Sequence, residues 1–172
     1  MADHRPSTPE QALQRLEQGH QRFRTGALKP RDLSAEVERT AEAQHPTAVV
    51  LSCMDSRVTP ERIFDQGVGS LLCIRVAGNT VSDEVLGNLE FACEVLGASL
   101  ILVMGHTRCG AVRAACEALG EDAAPFHEGL MGAAAETPPP NPETPLDLPH
   151  LTAVARSNVE RSVAGVRDRS EV

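Results

Sequence analysis

Tryptophan and tyrosine are absent from this 172-residue chain, and phenylalanine occurs only four times, so any core must be aliphatic. A basic excess is lacking as well. Lys plus Arg number 16 against 24 Asp plus Glu, for a formal net charge of −8. That balance argues against a nucleic-acid partner, because phosphate contacts need clustered Lys and Arg. Long apolar runs are missing too: Ser99–Met104 falls far short of the ~20 residues that a membrane span requires. The opening residues, Met1-Ala2-Asp3-His4-Arg5-Pro6, carry no apolar signal-peptide core, so a cytoplasmic location is expected. Cysteines number five, an odd count that suits a reducing compartment better than a disulfide framework. Some of these thiols are then free to bind metal or react. With 41% hydrophobic residues, the chain holds enough apolar material for one packed domain.

Two periodicities organise the sequence. Residues 9–25 place Leu13, Leu16 and Phe23 among polar residues as an amphipathic helix that Gly26 can end. A second helix is expected over Ser34–Gln44, with Ser34 as its cap and His45-Pro46 as its stop. Residues 1–45 thus form an N-terminal helical arm. Beyond it, Thr47–Ser52, Ser70–Val76 and Ser99–Met104 are short continuous apolar runs, as expected of strands buried on both faces. Helical stretches lie between and after them at Pro60–Gln66, Ser82–Leu96 and Gly110–Leu119. This alternation predicts an α/β fold, with a twisted, mainly parallel sheet flanked by helices. Six of the twelve prolines fall within Pro138–Pro149, and residues 132–149 are expected to be a Pro-rich loop. A last helix, about His150–Arg169, places Leu151, Val154, Asn158, Val159, Val163 and Val166 on one stripe.

In a parallel sheet, chemistry gathers in loops at the carboxyl ends of strands. Two such loops are rich in reactive side chains: Cys53-Met54-Asp55-Ser56-Arg57 and Gly105-His106-Thr107-Arg108-Cys109-Gly110. Cys53, His106 and Cys109 offer two thiolates and an imidazole, a set that suits zinc and leaves a fourth tetrahedral position open. Gly105 and Gly110 are expected to let the backbone bend around the ion. Cys73, Cys93 and Cys116 read instead as buried space-fillers in a strand and on helix faces.

These two loops, together with Arg75-Val76-Ala77-Gly78-Asn79 and the run Gly105–Val112, resemble the beta-class carbonic anhydrases of the bacterial type. The spacing agrees, as do Asp83-Glu84-Val85-Leu86-Gly87 and Glu90-Phe91-Ala92. The resemblance runs from about Leu13 to the last helix. It implies one catalytic zinc per chain on Cys53, His106 and Cys109, with Asp55 and Arg57 as a catalytic dyad. It further implies reversible hydration of carbon dioxide to bicarbonate and a proton, by a zinc-held hydroxide that the dyad orients. In some members the Asp matching Asp55 moves onto the zinc as a fourth ligand and closes the site. Arg75, Gly78, Asn79 and Gly110 are expected to shape the substrate pocket, and a homodimer or tetramer is implied.

Members of that family continue past the last helix with a further parallel strand and an antiparallel edge strand. This chain stops at Asp168-Arg169-Ser170-Glu171-Val172, so a shortened member is expected, with Ser99–Met104 left as a sheet edge. Two other readings stay open: hydrolysis of a CO2-like molecule such as carbon disulfide or carbonyl sulfide, and an inactive zinc-bound interaction module.

Overall fold

The computed structural model describes residues 8–119, 128–139 and 146–172. Three parallel strands, β1 (Ala48–Cys53), β2 (Leu71–Val76) and β3 (Ile101–Met104), form one sheet in the order β2-β1-β3. The register pairs Ala48 with Leu71 and Cys53 with Val76 on one side, and Val49 with Ile101 and Ser52 with Met104 on the other. As the central strand, β1 is buried along its whole length, which explains its apolar run from Ala48 to Leu51. Among the described residues β2 and β3 are the outer strands, with β3 at an edge as expected of Ser99–Met104.

Helices cover both faces. Val49 and Leu51 pack with Val85, Leu86 and Leu89 of α4 (Asp83–Glu94) and with Val166 of α7 (Leu148–Arg169). The other face is thinner: Ala48, Val50 and Leu71 meet Leu16 of α1 (Pro9–Thr25), with Phe64 from the end of α3 (Pro60–Ile63). A third cluster joins α5 (Gly110–Glu117), α6 (Glu128–Glu136) and α7, and it includes Cys53 and Cys109. No described helix is long and apolar enough to cross a membrane.

Local chemistry explains the helix ends. Thr8 caps α1 by accepting from the Gln11 N–H at 3.3 Å, and Gly26 ends that helix in the left-handed region at φ 71°. The second helix departs from expectation: α2 runs Leu33–Thr40, not Ser34–Gln44. Asp32, not Ser34, accepts from the Ala35 N–H at 3.0 Å, and the Thr40 hydroxyl turns back onto the Glu36 carbonyl at 2.9 Å. Asp147 caps α7 through the His150 N–H at 2.8 Å, so that helix begins two residues before the expected His150. Its stripe is buried at Leu151, Val154, Asn158 and Val166, but Val163 is exposed.

The expected Pro-rich loop is shorter than residues 132–149. Gly132–Glu136 complete α6, and Leu148 and Pro149 belong to α7; residues 140–145 lie outside the described residues. Helix α6 has little periodic signal because its buried side of Leu130, Ala133 and Ala134 consists mostly of methyl groups. Packing against α5 and α7 decides it, not amphipathicity.

Candidate metal centre

Strand β1 delivers Cys53 at its last residue, and the turn after β3 delivers His106 and Cys109. Because β1 and β3 are neighbours, the two loops meet. One ligand atom from each of Cys53, His106 and Cys109 lies within 4.8 Å of the others. The two Sγ atoms are 3.8 Å apart. A tetrahedral ion with Zn–S bonds of ≈ 2.3 Å would hold two sulfurs about 3.8 Å apart, so the spacing fits zinc without rearrangement. The imidazole is also prepared. Nδ1 lies 3.0 Å from the Thr107 carbonyl, which fixes it as the protonated nitrogen, while Nε2 is buried with no partner. A buried ring nitrogen with a free lone pair beside two thiols is a site awaiting a cation.

The thiols argue the same way. Burial pushes the Cys109 thiol up, and the Cys53 thiol beside it adds to this, while the Val112 and Ala111 N–H groups at the start of α5 pull it down. Two buried sulfurs this close to one another and to His106 can donate to a single positive ion.

The turn that carries His106 and Cys109 differs from expectation in how it bends. Neither Gly105 nor Gly110 has a positive φ; the left-handed residue is Arg108, at φ 58°. Gly105 is required for space: a Cβ there would lie 2.5 Å from Val159 Cγ2 of α7. Gly110 has open room around it and simply begins α5.

Asp55 and Arg57 stand beside the cluster as a pair. Asp55 Oδ1 accepts from the Arg57 backbone N–H and from Nε, both at 2.9 Å, and Oδ2 accepts from Nη2 at 2.6 Å. The same Nη2 donates to the Arg108 carbonyl at 3.2 Å, linking the dyad to the His106–Cys109 turn. The guanidinium holds the Asp55 carboxyl well below the usual carboxylate range. With both oxygens on Arg57, Asp55 is not arranged here as a fourth ligand.

Of the residues expected to shape the pocket, Arg75, Gly78 and Asn79 gather at the Cys53 side of the cluster, and Gly110 follows Cys109 directly. Arg75 sits behind the Cys53–Asp55 turn, its Nε on the Cys53 carbonyl at 3.2 Å and its Nη2 on the Asp55 carbonyl at 2.5 Å. Gly78 and Asn79 are buried under α7, and Gly78 donates its N–H to Cys53 Sγ at 3.4 Å. A cavity of about 350 Å³ opens beside His106, lined by Val103, Met104, Thr107, Ala155 and Val159; none of the four lines it. Sequence reading missed α7 as the wall of this site. The only hint was a polar residue, Asn158, inside an otherwise apolar stripe. A larger cavity of about 500 Å³ lies at α2 and the Gly67–Ser70 loop, away from this chemistry.

Comparison with known proteins accords with this geometry. The family model described as Carbonic anhydrase matches residues 48–172. A carbonic anhydrase of Mycolicibacterium smegmatis is 45% identical over 122 residues, covering 69% of this chain and 58% of that protein. Carbonic anhydrase 2 of Mycobacterium tuberculosis is 43% identical over 124 residues, covering 70% and 59%. A carbonic anhydrase of Pseudomonas aeruginosa is 33% identical over 157 residues, covering 87% of this chain and 70% of its own. Among solved structures, the beta-carbonic anhydrase CcaA superposes with a TM-score of 0.65 at 26% identity, covering 88% of this chain and 78% of that one. The chain spans 58% and 59% of the length of the two mycobacterial relatives.

Proposed function

The chain belongs to the carbonic anhydrase family, with the beta-class fold, and from that premise we propose that it catalyses the reversible hydration of carbon dioxide to bicarbonate. The observation that carries this reading is the cluster of Cys53, His106 and Cys109, with 3.8 Å between its sulfurs, next to an Asp locked by an Arg. Cys53 Sγ, His106 Nε2 and Cys109 Sγ would hold one zinc per chain. When bound, zinc supplies a Lewis acid that acidifies water at neutral pH.

The chain's own residues do the rest. Asp55 stays ionised because Arg57 is fixed across both of its oxygens, so it can accept a hydrogen bond from the attacking hydroxyl and aim its lone pair. Arg57 also ties that carboxylate to the Arg108 carbonyl, so dyad and metal loop keep one relative position. The apolar side chains of Val103, Met104 and Val159 near His106 suit a small uncharged gas. Five free thiols suit a reducing, cytoplasmic setting. A homo-oligomer belongs to the same proposal. It is supported by the thin cover on the face carrying Leu100, Leu102 and Met104, which stay only partly buried within one chain.

The test pairs metal analysis with stopped-flow CO2 hydration. Purified protein should carry about one zinc per chain. Cys109→Ser should lose most of it and Cys116→Ser should not, because Cys116 lies outside the cluster. Asp55→Asn should keep the metal and lose at least tenfold in turnover, a floor set below the ~10²–10⁴-fold that a positioned proton-handling group contributes. Equal zinc in both cysteine variants refutes the ligand set. Unchanged turnover in Asp55→Asn at pH 8 refutes the dyad. Turnover of carbonyl sulfide but not CO2 would replace the substrate.

A further inference from the structure

We infer that Asn158 and Ser162 of α7 are positioning residues for the metal centre, acting through the backbone of Gly78 and Asn79 on the Cys53 sulfur. The inference rests on the proposed metal at Cys53, His106 and Cys109. It begins with the hydrogen bond that reaches the Cys53 sulfur from outside the cluster, from the Gly78 N–H at 3.4 Å. The turn that carries this N–H is constrained, since two successive residues are left-handed, Gly78 at φ 62° and Asn79 at φ 48°. A non-glycine residue seldom adopts such a backbone unless its surroundings enforce it.

The enforcement comes from α7, 80 residues further along the chain. Asn158 Nδ2 donates to the Gly78 carbonyl at 2.6 Å. One helical turn later, the Ser162 hydroxyl donates to the Asn79 carbonyl at 3.1 Å and accepts from Asn79 Nδ2 at 3.4 Å. Asn158 is 1% exposed and Ser162 5%, so both are polar groups in a stripe that otherwise buries hydrocarbon. An apolar side chain at either position would fill the space but leave the carbonyls of the turn unpaired. The same helix also supports the other arm of the site, since Val159 occupies the space where Gly105 lacks a Cβ, one residue before His106. One rigid element therefore sets the backbone on both sides of the metal.

The chemical consequence follows from the Gly78 N–H. A hydrogen bond to a thiolate withdraws charge from the sulfur and makes it a weaker donor, leaving the metal more electrophilic. Loss of the anchor lets the left-handed turn relax, removes that bond, and returns charge to the sulfur. The relaxed turn also releases the Cys53 sulfur from its place against Cys109 and His106. This loss of preorganisation is expected to outweigh the stronger donation, since partners of this kind typically matter by 10–100-fold in metal affinity. An effect of about tenfold is expected here, because Asn158 acts through the backbone.

The experiment uses the full chain loaded with cobalt(II) in place of zinc, and reads the thiolate-to-cobalt charge-transfer band. A competition titration with a chromophoric chelator gives the zinc affinity. Asn158→Ala should move the band to lower energy and weaken zinc about tenfold. Ser162→Ala removes a single hydroxyl and should shift both readouts the same way by less; it carries the test alone if Asn158→Ala does not fold. Val166→Ala, a buried truncation on the same helix that packs with Val49, Leu51 and α4 and makes no hydrogen bond to the carbonyls of the Gly78–Asn79 turn, should lose stability while band and affinity stay at wild-type values. Folded Asn158→Ala or Ser162→Ala proteins with wild-type band and affinity overturn the inference. So does a Val166→Ala protein whose band and affinity move as far as theirs. A wild-type chain that takes up neither zinc nor cobalt overturns the metal reading and this inference together.

Discussion

Replacing Gly78 with alanine tests whether the turn beside Cys53 is as constrained as its backbone indicates. At φ 62° an L-residue brings its Cβ close to the following carbonyl, which costs about 1–2 kcal/mol. The new methyl would also lie 2.8 Å from Leu130 Cδ1 and 2.9 Å from Cδ2. Leu130 is fully buried in the cluster of α5, α6 and α7, so its tip has nowhere to retreat, and overpacking of this kind costs about 1–3 kcal/mol. The narrower unfolded ensemble of alanine offsets about 0.4–1 kcal/mol of this. A net loss of about 2–4 kcal/mol is expected. Urea unfolding followed by far-UV circular dichroism should show it as a lower midpoint with an unchanged slope. Gly87→Ala is the counterpart. Gly87 lies within α4, is exposed, and has open space where a Cβ would go, so alanine there should stabilise by about 0.5–1 kcal/mol. If both substitutions change stability by the same amount, or Gly78→Ala costs less than about 1 kcal/mol, the constraint assigned to this turn is wrong.

Two further outcomes follow from titrating groups away from the metal. Burial raises the Asp65 carboxyl, but the Arg22 side chain, the Lys29 N–H and Arg31 outweigh it and hold the group below its ordinary value. Its contribution is thus present above the unfolded carboxylate value of ≈ 3.9 and is lost as pH falls through the folded one. Asp65→Asn, which tolerates the φ of 47° at this position, should cost about 1–3 kcal/mol at pH 7 and flatten the acid limb. Urea midpoints for both proteins from pH 7 to pH 3 should converge, and parallel curves would refute the role. Cys73 is half-buried in β2, where burial and the Glu61 carboxylate push its thiol up to about 12. At pH 8 it should react with an aromatic disulfide reagent at least about 100-fold more slowly in the native protein than in the unfolded chain. Mass-spectrometric mapping of equal labelling rates would contradict this.

Much of the architecture was legible in the chain itself. The strands showed as short, largely apolar runs, although only the central β1 is buried along its length while β2 and β3 stay half-buried as outer strands, and the loops that follow β1 and β3 showed as places for chemistry. Cys53, Asp55, Arg57, His106 and Cys109 could be named as residue types at strand ends, because ligand chemistry is a property of side chains and travels with the sequence. The span of helix α1 and its stop Gly26 were legible for a similar reason, since a stop acts within a few residues of the helix it bounds; the cap Thr8 is seen in the structure.

What the sequence could not reveal depends on which distant backbones come together. Helix α6 exists because Leu130, Ala133 and Ala134 fit closely between α5 and α7; three small or aliphatic contacts leave no periodic signature. Gly105 looked like a hinge, yet it is there to admit Val159, while the bend falls on Arg108. Arg75, Gly78 and Asn79 could be singled out, but not that Arg75 would bond the carbonyls of Cys53 and Asp55, or that Gly78 and Asn79 would lie under Asn158 and Ser162. Hydrogen bonds and caps between near neighbours are written in local order, whereas a helix that settles over a turn 80 residues away is selected by the packing of the whole core. The identity of the metal's donors was therefore a matter of sequence, and the support that aims them was decided only when α7 came to rest across both loops.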